Sequence, residues 1–145
     1  MELVDPDRVR VTGDPADALV RFEVPASPRV VDCDVLVAGA GAGGVAAALR
    51  LAERGQTVCL TEETDWIGGQ LTSGGVSALD EHKFIEIAGG TRSYYALREG
   101  IRNEYRRRYT LAPAVRGLEN LNPGACYVSS LCYEPRVGLT VLERM

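Results

Sequence analysis

The chain is poor in the residues that most often carry chemistry. Among its 145 residues it has one histidine, His82, and one lysine, Lys83. His82 sits in the polar run Asp80-Glu81-His82-Lys83, a setting that suits a solvated surface residue better than a general acid or base. No apolar stretch approaches the ~20 residues of a membrane helix. The longest, Val35 to Ala42, is interrupted by glycines. The start, Met1-Glu2-Leu3-Val4-Asp5-Pro6, has neither the basic nor the apolar region of an export signal. The expectation is a cytoplasmic chain whose cysteines are reduced thiols. Cys33, Cys59, Cys126 and Cys132 form no C-x-x-C pair, and the spacing of Cys126 and Cys132 matches no zinc or cluster pattern. No metal site is therefore expected. Nothing nearby lowers the pKa of Cys126 or Cys132, so no redox role is expected of them. There is no internal repeat and no low-complexity tract.

What is present is the balance of one soluble domain: 46% hydrophobic and 25% charged residues. That is enough for a core and too little for a large two-domain enzyme. A net charge of −4 gives no reason to expect nucleic acid or an anionic membrane. Residues 1–31 are polar and punctuated by proline. Arg8 to Val11 and Ala18 to Phe22 alternate weakly, as a small hairpin turning at Asp14-Pro15 would. This N-terminal extension precedes a second region, residues 32–145.

The pattern sharpens at Asp34. Val35-Leu36-Val37-Ala38 is a short apolar run, which suits a strand buried on both faces of a parallel sheet. Val45 to Arg54 is strongly helix-forming, with Val45, Ala48, Leu49 and Ala52 on one stripe and Gly55 as the stop. Thr57 to Thr61 reads as a second strand, with Cys59 as a small core residue. Strand, helix and strand fill roughly 30 residues, the size of one βαβ unit. Residues 62–91 read as glycine-rich loops with short structured pieces. A second helix is expected over about 93–109, with Tyr94, Leu97, Ile101 and Tyr105 facing the core. Its Arg98, Arg102, Arg106, Arg107 and Arg108, interleaved with Glu99 and Glu104, are expected on a solvated face. Beyond it Pro113, Pro123 and Pro135 predict an irregular tail, with Tyr127 to Leu131 as one possible strand.

Gly39-Ala40-Gly41-Ala42-Gly43-Gly44 fits G-x-G-x-x-G, and it lies where that pattern has meaning, after a strand and at the start of a helix. Gly39 permits the tight turn. Gly41 lets the backbone approach a pyrophosphate. Gly44 lets the helix pack closely on the sheet. The first helical positions, Ala42 and Gly43 among them, then aim unpaired N–H groups at phosphate. Glu62 ends the second strand, 23 positions after Gly39, where a carboxylate accepts ribose hydroxyls. Strand alternation favours Glu62 over its neighbour Glu63.

Asp34 to Gly44, Val58 to Glu62 and Trp66-Ile67-Gly68-Gly69-Gln70 together resemble the N-terminus of glutathione-reductase-type FAD flavoproteins. Ile67 to Val76, Asn122-Pro123-Gly124 and Cys132 to Gly138 are similar to the FAD-dependent oxidoreductases that group with the FAD-bearing subunit of heterodisulfide reductase. The resemblance spans about residues 32–145. It implies an α/β fold, a Rossmann-type FAD-binding βαβ unit with an incomplete parallel sheet. It implies FAD as cofactor, with Gly68 and Gly69 against the dinucleotide and Gln70, Leu71 and Thr72 toward the flavin. Trp66 then either covers the cofactor loop or packs. Members run to several hundred residues, so the remainder of a flavoprotein chain is expected to complete the fold. Relatives of the heterodisulfide reductase group can carry a [4Fe–4S] cluster, for which this sequence shows no motif. No catalytic acid or base is named by these residues. Two other readings remain: an NAD-dependent dehydrogenase domain, which Gly68-Gly69 argues against, and a truncated, non-catalytic nucleotide-binding or interaction fragment.

Overall fold

A computed structural model describes Ser27 and residues 30–145. The hairpin expected within residues 8–22 lies outside the described residues. Two parallel strands, β1 (Val35–Ala38) and β2 (Val58–Thr61), pair in register from Val35 with Val58 to Ala38 with Thr61. Asp34 fixes this register. Its carboxylate accepts bonds from the Thr57 N–H at 2.7 Å and the Thr57 hydroxyl at 2.9 Å. Those two bonds, the N–H first, hold its pKa below the ordinary carboxylate value.

Helix α1 (Ala42–Ala52) crosses between the strands. Five of its eleven residues are alanine, which keeps backbone helical at little entropic cost. It ends one turn before Gly55, which takes φ +80°. Gly44 sits so close to the end of β1 that a Cβ there would overlap the Gly39 carbonyl oxygen. The chain thus delivers the α/β fold and the βαβ unit in the expected places.

The sheet is less buried than the apolar run predicts. Leu36 is 64% exposed, while Val37 faces α1. Side chains alternate across a strand, and α1 covers one face only. Cys59 is half-buried and forms a disulfide with Cys33, at a Cα separation of 5.8 Å. Cys126 and Cys132 form a second disulfide at 6.0 Å. The expectation of reduced thiols is therefore corrected. Strand pairing brings the segment before β1 beside β2, and a closed loop brings residues 126 and 132 together.

The core lies on the other side of α1. Helix α2 (Arg92–Arg108) is capped by the Thr91 hydroxyl, which accepts the Tyr94 N–H. It buries Leu97, Ile101 and Tyr105 against Val137, Val141 and Leu142 of α4 (Pro135–Leu142), with α3 (Pro113–Arg116) between them in sequence. Gly100 allows the approach: a Cβ there would lie 2.6 Å from a Val141 methyl. These two helices correct the irregular tail. Pro113 and Pro135 stand in the first turns of α3 and α4, where the missing N–H costs nothing, so they start helices and do not exclude them. Residues 127–131 form no strand. The Asn122 side chain ties the loop instead, donating to Cys126 O and Ser129 O and accepting from Cys132 N at 2.8 Å.

The charged face of α2 is a second correction. Arg98 is 1% exposed, Arg102 8% and Glu104 3%. Arg98 pairs with Glu81 and Glu86, and Arg102 reaches Glu86 at 2.6 Å and Leu121 O at 3.0 Å. Burial pushes Glu86 up, and the bonds and charges of Arg102 and Arg98 outweigh it, leaving its pKa lowered. Glu104 gathers Arg107, Arg108 and Arg144. Helical spacing marks which residues share a face, but not that Glu81 and Glu86, from a preceding loop, will cover that face. Tyr94 also donates to Glu81 at 2.6 Å, and burial first, then Glu81, raises its pKa. Among the described residues no helix is long and apolar enough to cross a membrane.

Gly44→Ala forces α1 off the β1 turn and costs about 1–3 kcal/mol. Gly43→Ala meets nothing within 4 Å and is neutral or stabilising by up to ~1 kcal/mol; urea denaturation of both variants separates the two positions. Arg98→Ala strands Glu81 in the interior and costs about 3–5 kcal/mol, read as a lowered urea midpoint.

Candidate nucleotide-binding site

A cleft of about 460 Å³ opens at the carboxyl ends of the two strands. Gly39, Gly41, Thr61, Glu62, Glu63, Thr64, Gly69 and Ser73 line it. The glycine turn forms its floor. Gly39 takes φ +93°, and its N–H donates to the Thr61 hydroxyl at 3.2 Å. Gly41 caps α1 in an extended conformation, and the helix follows at once. The first-turn N–H groups at Ala42, Gly43 and Gly44 have no partner inside the helix, so they and the dipole point outward.

The Gly68-Gly69 pair packs on this turn. Gly68 N–H donates to Ala40 O at 2.7 Å, and Gly41 and Gly68 bridge in parallel fashion. Both glycines have positive φ, +107° and +55°. A Cβ at Gly69 would lie 3.0 Å from the Gly41 Cα. By contrast, positions 41 and 43 face open space, with nothing within 4 Å of a built Cβ. Open space over positions 41 and 43 leaves the start of α1 clear of side chains, a shape that admits a dinucleotide pyrophosphate.

Glu62 closes one wall. Its Oε2 accepts the Ala40 N–H at 3.1 Å, and its Oε1 accepts the Thr64 N–H at 3.1 Å and the Thr64 hydroxyl at 3.0 Å. These bonds, the Thr64 N–H first, hold its pKa below the ordinary glutamate value, so the carboxylate is charged near neutrality. Glu63 also lines the cleft, and its side chain is exposed.

The structure brings Gly39, Gly41, Glu62, Glu63 and Gly69 of the expected residues to the cleft, with Gly68 buried behind it. Gln70 is exposed and stands outside the lining residues. Thr72 is 1% exposed and donates to Ile67 O at 2.6 Å, and Leu71 lies against the core. Those two turn inward, away from the surface the resemblance implies. Trp66 packs under the Arg136 guanidinium, 5.0 Å from its ring centre, which ties the start of α4 to this loop. Thr61, Thr64 and Ser73 were not anticipated. The only sequence signal for Thr64 is its place two residues after an acid, where a hydroxyl bonds locally. His82 is exposed, and its Nδ1 accepts the Phe84 N–H at 3.1 Å. A second cavity of about 280 Å³, between α1, α2 and α4, is lined mainly by Val45, Leu49, Leu71, Leu79, Leu97 and Leu142. Asp80, Thr91, Ser93 and Tyr94 supply its polar groups. Among the described residues no group of His, Cys, Asp and Glu converges as a metal site.

Residues 34–145 match the FAD dependent oxidoreductase family, and the chain belongs to it. FAD is the cofactor this membership implies, and the bare turn, the helix start and the charged Glu62 fit it. Three curated relatives share local similarity. The 4-oxocyclohex-2-ene-1-carboxylate 5-dehydrogenase of Sinomonas cyclohexanicum is 38% identical over 65 residues, 44% of this chain and 11% of its own length. The urocanate reductase of Eggerthella lenta is 44% identical over 69 residues, 46% of this chain and 11% of its own. The beta-cyclopiazonate dehydrogenase of Aspergillus flavus is 43% identical over 42 residues, 29% of this chain and 9% of its own. The aligned segments thus span about a tenth of the length of these relatives. No solved structure matches the chain.

Gly41→Val places a branched side chain in open space over the turn. The expected outcome is loss of FAD binding with the fold retained and the thermal midpoint lowered by only a few degrees for the weaker N-cap, measured by calorimetric titration and thermal melting. Unchanged affinity would remove this turn from the cofactor site.

Proposed function

We propose that this member of the FAD-dependent oxidoreductase family uses the 39–73 cleft to hold the ADP half of FAD. The parent activity is oxidation or reduction of a small molecule. Bound FAD supplies the redox chemistry at its isoalloxazine, and the protein supplies binding and orientation. The observation that carries the reading is the joined wall and floor. One oxygen of Glu62 is anchored on Ala40, inside the glycine turn, while Gly68-Gly69 seals the far side of that turn. In this arrangement the first-turn N–H groups of α1 take the pyrophosphate, and Glu62 takes the adenosine ribose. A carboxylate at that position repels a 2′-phosphate. Gly68 and Gly69 keep the path along the dinucleotide free of side chains. The Gly68-Gly69 pair supports kinship with the glutathione-reductase type, and the 67–76 stretch supports kinship with the heterodisulfide reductase group.

Leu36 stands 64% exposed on a sheet of two described strands, and a parallel sheet is ordinarily covered on both faces. The residues described here act as the nucleotide-holding part of a flavoprotein, with further flavoprotein segments covering β1 and walling the isoalloxazine.

The test is titration of the protein with FAD and, separately, NAD, followed by absorbance and calorimetry. The reading predicts saturable FAD binding that is tighter than NAD binding, and a loss of at least about tenfold in Glu62→Ala. A folded protein that binds NAD more tightly than FAD would return the dehydrogenase reading to first place.

A further inference from the structure

We infer that Thr64 is the residue that positions Glu62 for the ribose, through a hydroxyl able to change acceptors. The inference rests on the reading of the cleft as an FAD site. Thr64 holds Glu62 Oε1 through two groups at once, its backbone N–H at 3.1 Å and its hydroxyl at 3.0 Å. The same hydroxyl lies 3.0 Å from Trp66 O and accepts the Trp66 N–H at 3.2 Å. A hydroxyl has one proton, so it serves Glu62 or Trp66 O, never both.

That choice has a consequence for the diol. A carboxylate oxygen offers two lone pairs. With the hydroxyl turned to Glu62, Oε1 already has two donors, and Oε2 has one in Ala40 N–H. Turned to Trp66 O, the hydroxyl frees one lone pair on Oε1, and Oε2 keeps one free as well. Glu62 then accepts one ribose hydroxyl on each oxygen. The Thr64 and Ala40 N–H groups still hold the carboxylate from both ends. The rotation moves no backbone and leaves no buried polar group unpaired. Thr64 lines the cleft without reaching the reacting part of the cofactor, so its part is to orient Glu62.

The experiment is a double-mutant cycle on FAD affinity in the full chain, with thermal midpoints measured alongside. Thr64→Val keeps the N–H and removes the hydroxyl that competes with the ribose for Oε1, and it is expected to tighten FAD about three- to tenfold. Thr64→Ser returns affinity to within about twofold of the wild type. In a Glu62→Ala background, Thr64→Val changes affinity no further. If Val at this position unfolds the chain, Thr64→Ala reads the same quantity. Unchanged or weaker affinity in Thr64→Val, or an equal change with and without Glu62, overturns the inference while leaving the FAD site standing. A wild-type protein that does not bind FAD overturns both.

Discussion

The close approach of helix α1 to the end of β1 is the constraint on which the site depends. Position 44 has no room for even a methyl group beside the Gly39 carbonyl. That contact sets the height at which the helix begins, and so where its unpaired N–H groups point. The parallel pairing of β1 and β2, with Asp34 locked on Thr57, then carries Glu62 to the same end of the sheet. Gly68 returns the chain to Ala40, and Gly69 has no side chain to hold it off Gly41. Three segments separated in sequence meet at one turn because glycine lets backbones touch there.

The scaffold behind this turn is held by a different kind of interaction. Arg98 and Arg102 are buried on α2 and matched by Glu81 and Glu86 from the loop that precedes it. Such pairs add little net stability over apolar packing, yet each partner is costly to leave alone. They therefore fix where the 77–90 segment docks. Glu81 is further tied to Tyr94, and Ser129 approaches it from the 122–132 loop. Tyr133 donates from beside that loop to Leu71 O, immediately after the Gly68-Gly69 turn. The polar network and the nucleotide cleft are thus connected through a short run of backbone.

What was legible in the sequence follows from locality. The strand, glycine turn and helix of residues 34–54 are specified by neighbours a few positions apart, and so is the Thr91-capped helix α2. The place of Glu62 just after β2 was legible because strand length and alternation set it. The burial of Arg98 and Arg102 was not, since the partners of Arg98 lie 12 to 17 residues away in a loop without periodicity. Helix α4 was hidden by Pro135, whose effect depends on whether it stands in the first turn or the interior. The cysteine pairings were hidden because Cys33 and Cys59 come together only through strand pairing. Leu71 and Thr72 show the limit of resemblance: it carried their segment to the glycine turn and implied that both face the flavin, whereas both side chains turn inward.

The most direct measurement is an amide ¹H–¹⁵N spectrum of the assigned protein during titration with FAD. The account predicts that the largest shifts fall on residues 39–44, 61–64 and 68–73, with the amides of Gly41, Ala42 and Gly43 foremost. Shifts centred on the apolar cavity between α1, α2 and α4, with the glycine turn unmoved, would contradict it.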